Sequence, residues 1–267
     1  MGKLKFGCHD FLNSKPLILP FVRGDLVQQF DFVFETPAKI SEKLSEGKLD
    51  AAFIPSIDYL KNKNLKLLPD LSISADGEVK SVILLSKKKI KKIKTVALDK
   101  KSKTSVVLLK ILFEKYYKIK VKYLSDTKAN QKKADARLMI GDDGLLLTYK
   151  ATQASKGKKI LAYTYDLAGE WKKFTSLPFV FAVIAVKPSV DMEYLSESLH
   201  KAKSIGTRDI ADITMKVANS AGLSFKQCYD YLSRIIKYDL GEKELKGLSK
   251  FQDLAYEIGE LKEKRDI

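Results

Sequence analysis

Histidine, cysteine and arginine are all scarce in this chain of 267 residues. The two histidines, His9 and His200, and the two cysteines, Cys8 and Cys228, are too few and too scattered to suggest a metal site. Both cysteines sit in apolar stretches, so buried free thiols in a reducing compartment are expected rather than a disulfide. No Gly-x-Gly-x-x-Gly follows a strand pattern, and no phosphate loop or base triad is present, so no cofactor is expected. No apolar run reaches the roughly 18–20 residues of a membrane span. The start, Met1-Gly2-Lys3-Leu4-Lys5, leads into a strand pattern without the apolar core of a signal peptide. A cytoplasmic protein with no membrane partner is the expectation.

Lysine is abundant, and the net charge is +16. Such a charge raises nucleic acid as a partner. Its distribution argues otherwise. Arginine, the residue suited to bidentate phosphate contacts, appears only as Arg23, Arg137, Arg208, Arg234 and Arg265, spread over the chain. The densest run, Lys87-Lys88-Lys89 with Lys91, Lys92 and Lys94, reads as a solvated connector. No nucleic-acid partner is expected, while a positive field favours small anionic substrates. No sequence feature specifies an oligomeric state.

A hydrophobic content of 45% supplies a sizeable core, and the length suits two α/β lobes of about 100–150 residues each. Apolar runs at Leu4–Cys8, Asp31–Glu35 and Leu49–Ile54 alternate with helix starts at Pro16, Thr36-Pro37 and Pro55-Ser56. This alternation predicts a parallel sheet with crossover helices. Further strands are predicted at Val79–Ser86, Thr95–Leu98, Ile119–Tyr123, Ala136–Ile140, Ile160–Tyr165 and Pro178–Val186, with a buried helix over Ser105–Tyr117. After Pro188 only helical stripes are evident, for example Leu245, Leu248, Phe251, Leu254, Ile258 and Leu261. The chain is expected to enter a second lobe near Ser86–Lys94 and to leave it near Val180–Lys187. That places 1–88 with 185–267 in one lobe and 89–184 in the other, with a ligand cleft between them.

Two junctions share one design. The first strand runs into Phe11-Leu12-Asn13-Ser14-Lys15-Pro16-Leu17. The strand Lys94–Leu98 runs into Asp99-Lys100-Lys101-Ser102-Lys103-Thr104-Ser105 and a long apolar helix. Each sets hydroxyl, amide and ammonium donors at a helix N-terminus, where N–H groups lack partners and the dipole end is positive. Facing each other, two such ends would hold a small molecule with two acidic groups.

These residues resemble the chorismate dehydratase family, whose members act first in the futalosine route to menaquinone. The Phe11–Leu17 block matches the family's N-terminal motif, and Leu49-Asp50-Ala51-Ala52-Phe53-Ile54-Pro55-Ser56-Ile57-Asp58-Tyr59 matches its next block. Gly77-Glu78-Val79-Lys80-Ser81-Val82, Ala97-Leu98-Asp99 with Ser102–Ser105, Ile140-Gly141-Asp142, and Asp166-Leu167 with Trp171 and Thr175–Ala182 follow in the family's order. Two positions depart from the pattern. Lys103 stands where the family has arginine, replacing a bidentate clamp with a point charge. Ser176 stands where glycine is expected, and a positive φ there would strain serine.

The resemblance implies a two-lobed α/β fold of the type 2 periplasmic-binding-protein kind, with chorismate, a diacid, in the cleft. It implies loss of water to give 3-[(1-carboxyvinyl)oxy]benzoate. The lack of a base triad or metal cluster points to the substrate's own enolpyruvyl carboxylate as the group that takes the proton. Asn13 and Ser81 are the expected catalytic residues, and Ser14, Ser56, Ser102, Lys103, Thr104, Ser105, Asp142 and Thr175 the expected substrate-binding set. Each has a plainer alternative. Asn13, Ser56, Asp142 and one of the 102–105 hydroxyls could serve as helix caps, and Ser81 could satisfy a neighbouring carbonyl. His9 is the runner-up base. A non-catalytic binding protein, the sensing domain of a transcription regulator, and the sister enzyme acting later in the same route are the rival functions.

Overall fold

The computed structural model describes residues 3–27, 30–99, 102–154 and 163–267. The chain begins with β1 (Leu4–Cys8), a short 3-10 turn at Leu12–Ser14, α1 (Lys15–Val22), β2 (Phe30–Phe34), α2 (Pro37–Ser45), β3 (Ala51–Pro55) and α3 (Ser56–Lys61). Pro37 opens α2 and Pro16 lies in the first turn of α1, where the missing N–H has no intrahelical partner to lose. β1 pairs in parallel with both β2 and β3. Rings of Phe6, Phe30, Phe32 and Phe53 meet over this part of the sheet at centroid distances of 5.7–5.8 Å.

β4 (Lys66–Ala75) then runs antiparallel to a distant strand and leads to β5 (Ile83–Ser86), β6 (Thr95–Ala97), α4 (Lys103–Ile111), β7 (Lys122–Leu124), α5 (Lys128–Lys133), β8 (Ala136–Met139), α6 (Gly141–Ala154), β9 (Tyr163–Asp166) and α7 (Leu167–Thr175). The chain returns through β10 (Phe179–Val186), α8 (Met192–Arg208), α9 (Ile210–Val217), α10 (Phe225–Asp230), β11 (Lys237–Leu240) and α11 (Glu242–Glu257). Two mixed sheets result, ordered β11-β4-β10-β3-β1-β2 and β7-β6-β8-β5-β9. A single buried apolar cluster runs through both. At their join Trp171 of α7 stacks edge-on against Phe179 of β10 and Phe251 of α11, and its indole N–H donates to the Pro178 carbonyl at 3.1 Å.

Several expectations are corrected. The sheets are mixed rather than parallel: β10 runs antiparallel to β3 and β4, and β5 runs antiparallel to β8 and β9. β4 is a strand the sequence hid, because Pro69 and the positive φ of Asp70 interrupt its pattern with a register shift. β11 breaks the all-helical C-terminal region; four residues give too short a period to read. The strand predicted over Val79–Ser86 is formed only by Ile83–Ser86. The Asp166 carboxylate accepts from the N–H groups of Val79 and Lys80, at 3.1 and 2.6 Å, and Lys80 turns to φ 63°. Residues 76–82 therefore cross between the sheets instead of extending one. Sheet membership puts the crossings between Ala75 and Ile83 and between Asp166 and Phe179, where the sequence placed them near 88/89 and 184/185.

The strand predicted over Ile119–Tyr123 begins later, at Lys122, and residues 160–162 of another lie outside the described residues. The lysine run belongs to the second sheet's surface. Lys87 donates to the Lys132 and Ala134 carbonyls, and Lys88 pairs with Asp135 at 2.5 Å. Cys8 and Cys228 are buried free thiols, and burial pushes that of Cys8 up to about 12. Among the described residues no helix is long and apolar enough to cross a membrane.

Candidate functional site

A cavity of about 60 Å³ lies where the crossings and the two junctions meet. The first junction contributes His9, Phe11 and Asn13, the crossing contributes Val79, Ser81 and Val82, and the second junction contributes Ser102 and Ser105. Phe181 and Ala182 of β10, Ile140 and Ile73 complete an apolar surround. No described Lys, Arg, Asp or Glu side chain lines it. An anion there meets neutral donors and the positive end of α4, in a setting of low dielectric where each contact counts for more than in water.

At the first junction the backbone leaves β1 and turns through the 3-10 segment. The Ser14 hydroxyl donates to the carbonyls of His9 and Phe11, both at 2.9 Å. This fixes the turn and leaves Asn13 facing the cavity, with its Oδ1 buried and without a partner. The His9 ring packs on Phe11 at 4.9 Å, and its Nδ1 is also buried and unpartnered. Burial lowers the His9 imidazole from its ordinary 6.5 to about 4, so it is neutral near pH 7.

Ser81 sits on the crossing that Asp166 pins. α6 presses against it. A Cβ on Gly144 would lie 2.5 Å from the Ser81 carbonyl oxygen, so only glycine permits the approach. Thr148 of the same helix donates to the Lys80 carbonyl at 2.7 Å. The Ser81 side chain is buried, lines the cavity, and accepts from the Tyr231 hydroxyl at 3.0 Å. Tyr231 escaped the sequence reading because it belongs to an apolar helical stretch and carries no motif.

The second junction divides its donors. Ser102 caps α4 by accepting from the Ser105 N–H at 3.3 Å, and the two hydroxyls are 2.9 Å apart. Spaced three residues along the first turn, they share the face toward the cavity. Lys103 and Thr104 turn elsewhere. Lys103 pairs with Asp58 of α3, 3.2 Å away, on the outer surface. The Thr104 hydroxyl is buried and accepts from the Ile57 N–H at 3.3 Å. Lys100 and Lys101 of this junction lie outside the described residues.

Six of the expected binding residues thus fall outside the cavity lining: Ser14, Ser56, Lys103, Thr104, Asp142 and Thr175. Their polar atoms serve the framework. The Ser56 hydroxyl donates to the Val180 carbonyl at 2.7 Å, and that of Thr175 donates to the Trp171 carbonyl at 2.9 Å. Asp142 accepts from the Leu12 N–H at 3.1 Å, joining α6 to the first junction. Burial pushes its pKa up from the ordinary carboxylate value, partly offset by that N–H. Ser176 adopts φ 63° at the end of α7, the left-handed geometry that favours glycine. Among the described residues no three His, Cys, Asp or Glu side chains gather in a metal-sized group.

The family model described as "Menaquinone biosynthesis" matches residues 4–257. The chain belongs to this family. Among curated relatives, a chorismate dehydratase of Thermus thermophilus is 27% identical over 247 residues, covering 85% of this chain and 87% of that one. A chorismate dehydratase of Campylobacter jejuni is 28% identical over 251 residues, covering 92% and 95%. Among solved structures, an Archaeoglobus fulgidus protein superposes with a TM-score of 0.78 at 15% identity, over 97% of this chain and 98% of that one. A Candida albicans protein described as having the generic periplasmic binding protein fold gives 0.63 at 12% identity, over 100% and 93%. The fold is the two-lobed periplasmic-binding-protein type, as the family resemblance implied.

Proposed function

We propose that the protein is a chorismate dehydratase of the futalosine route, working in the cytoplasm on free chorismate. One observation carries the reading. Asn13, Ser81, Ser102 and Ser105, which come from three separate stretches of chain, line a single cavity at the meeting of the two sheets. Ser102, Ser105 and the N-terminus of α4 receive one carboxylate of the diacid. Asn13 and Ser81 address the reacting centre. The ring C–H bond breaks and its electrons become the new ring double bond. The neighbouring C–O bond breaks, and hydroxide leaves with a hydrogen bond from Ser81.

The proton passes to the substrate's enolpyruvyl carboxylate, which hands it on to the departing hydroxide; water leaves and the carboxylate is restored. The absence of carboxylates from the described cavity lining supports this choice of base. Aromatisation supplies the driving force, so the protein's share is to hold one conformer and to stabilise the developing negative charge. The sheets act as lobes, dividing at residues 76–82 and 167–178. At about 60 Å³ the cavity is far smaller than an ordinary ligand pocket of about 300 Å³ or more. The lobes therefore part to admit substrate and close around it.

A second reading of the base rests on His9, which lines the same cavity and whose buried Nδ1 has no partner. Its removal decides between them. His9→Asn keeps turnover within about tenfold of the parent if the substrate carboxylate is the base, and loses 10²–10⁴-fold, the usual range for a positioned base, if His9 is. The function itself is tested by incubating the pure protein with chorismate and following a new aromatic absorbance. The product must be 3-[(1-carboxyvinyl)oxy]benzoate; chorismate bound but recovered intact would leave a binding protein of the same fold.

A further inference from the structure

Tyr231 is a buried hydroxyl with no role in the reaction as derived above. It sits where α10 gives way to a π-turn over Tyr231–Ile235, a local widening of the helix found often beside functional sites. Its ring is 1% exposed, so its hydroxyl must find partners inside the protein. Its partner is a residue assigned to the chemistry. The O–H donates to Ser81 Oγ at 3.0 Å.

The donor count then fixes directions. A phenol has one proton, and Ser81 receives it. The Ser81 hydroxyl, with one lone pair occupied, is left to donate its own proton, and its side chain borders the cavity. One tyrosine thus sets the polarity of a site residue 150 positions away in sequence.

We propose that Tyr231 is a positioning residue that fixes the Ser81 hydroxyl through a buried hydrogen bond, so that Ser81 presents its own proton to the bound substrate. This deepens the proposed dehydration and rests on it. Hydrogen bonds in series polarise one another, so the donor at the end of the chain is stronger than an isolated serine. The C-terminal segment that carries Tyr231 thereby becomes part of the site's working order, although Tyr231 itself does not line the cavity.

The test is a double-mutant cycle on the full chain with chorismate. Tyr231→Phe is expected to lower kcat at least tenfold with KM within twofold, while the far-ultraviolet spectrum and the melting curve show a folded protein. In a Ser81→Ala background the same change is expected to cost less than twofold, because the residue it acts through is already gone. Wild-type kcat in Y231F, or an equal loss in both backgrounds, overturns the proposal. Should Y231F fail to fold, hydroxyl exchange is read in protein labelled at the tyrosine ring carbon. The resonance of Tyr231 is expected to show slow hydroxyl exchange in the parent and faster exchange in Ser81→Ala; unchanged exchange overturns the hydrogen bond. A parent protein inert toward chorismate refutes the proposed function instead, and is distinguished from a fully active parent with an unimpaired Y231F, which refutes only the role of Tyr231.

Discussion

The two strand-to-helix junctions look alike in sequence and are used differently in the structure. The first delivers one amide and one imidazole to the cavity, each with a buried unpartnered atom, and spends its serine on the backbone. The second delivers two hydroxyls that satisfy each other, and turns its lysine and threonine toward α3. Helical geometry explains the split. Positions 102 and 105 share a face, whereas 103 and 104 point roughly 100° and 200° around the axis. A block of donors at a helix start is therefore never wholly a ligand site: one face can meet a ligand, and the rest must serve packing or solvent. Under the proposed function, the first junction and the crossing supply the groups at the reacting centre, and the second junction supplies those that anchor a carboxylate.

That division of labour can be broken by substitution. Removing both hydroxyls in Ser102→Ala with Ser105→Ala should weaken chorismate binding by about 100-fold, since a hydrogen bond to a charged group contributes about 1.5–3 kcal/mol. Isothermal titration with a slowly reacting variant reads this. An unchanged affinity would move the anchoring function off the second junction.

The next effect is acid sensitivity, which belongs to the first junction alone. His9 is buried as the neutral form, its pKa lowered by burial from 6.5 to about 4. An unfolded chain protonates His9 near pH 6.5 while the folded one does not, so stability is full above that pH and declines as pH falls toward 4. At 1.36 kcal/mol for each tenfold, this amounts to about 3 kcal/mol. Urea midpoints for the parent and for His9→Asn, compared between pH 7 and 4, should diverge at neutral pH and converge in acid. Parallel profiles would show that His9 is not held neutral.

Thr104→Val should leave turnover intact and destabilise the protein by about 1 kcal/mol, because the Ile57 N–H loses its buried acceptor. Thermal melting measures it. Smallest is Lys103→Ala. Its pair with Asp58 joins a lysine side chain 49% accessible to a carboxylate 10% accessible, so a change of about 1 kcal/mol or less in stability and less than threefold in kcat/KM is expected. A large loss of substrate affinity would return Lys103 to the binding set.

What the sequence revealed follows from how far each signal extends. β3 and β10 were legible because strands buried on both faces read as unbroken apolar runs, and α11 because its stripe lasts four turns. β4 was not, since Pro69 and Asp70 break it locally while pairing with β10 and β11 on either side sustains it. Ser81, expected as a site residue, does line the cavity, but it was placed in the wrong kind of backbone. The carboxylate that turns its chain, Asp166, lies 85 residues further on, beyond the reach of any local pattern. Ser176 shows the opposite case, in which the expected positive φ occurs and the chain carries the strain. Tyr231 was invisible for the same reason as Asp166: its partners are distant in sequence, and its own neighbourhood reads as core.

The most direct measurement separates binding from chemistry at the cavity. Asn13→Ala and Ser81→Ala are each titrated with chorismate and then assayed for turnover. The expected result is affinity within about threefold of the parent with a rate lowered 10²–10³-fold, the usual cost of one donor aimed at developing charge. Parental rates in both variants would contradict the claim that these two residues carry the reaction.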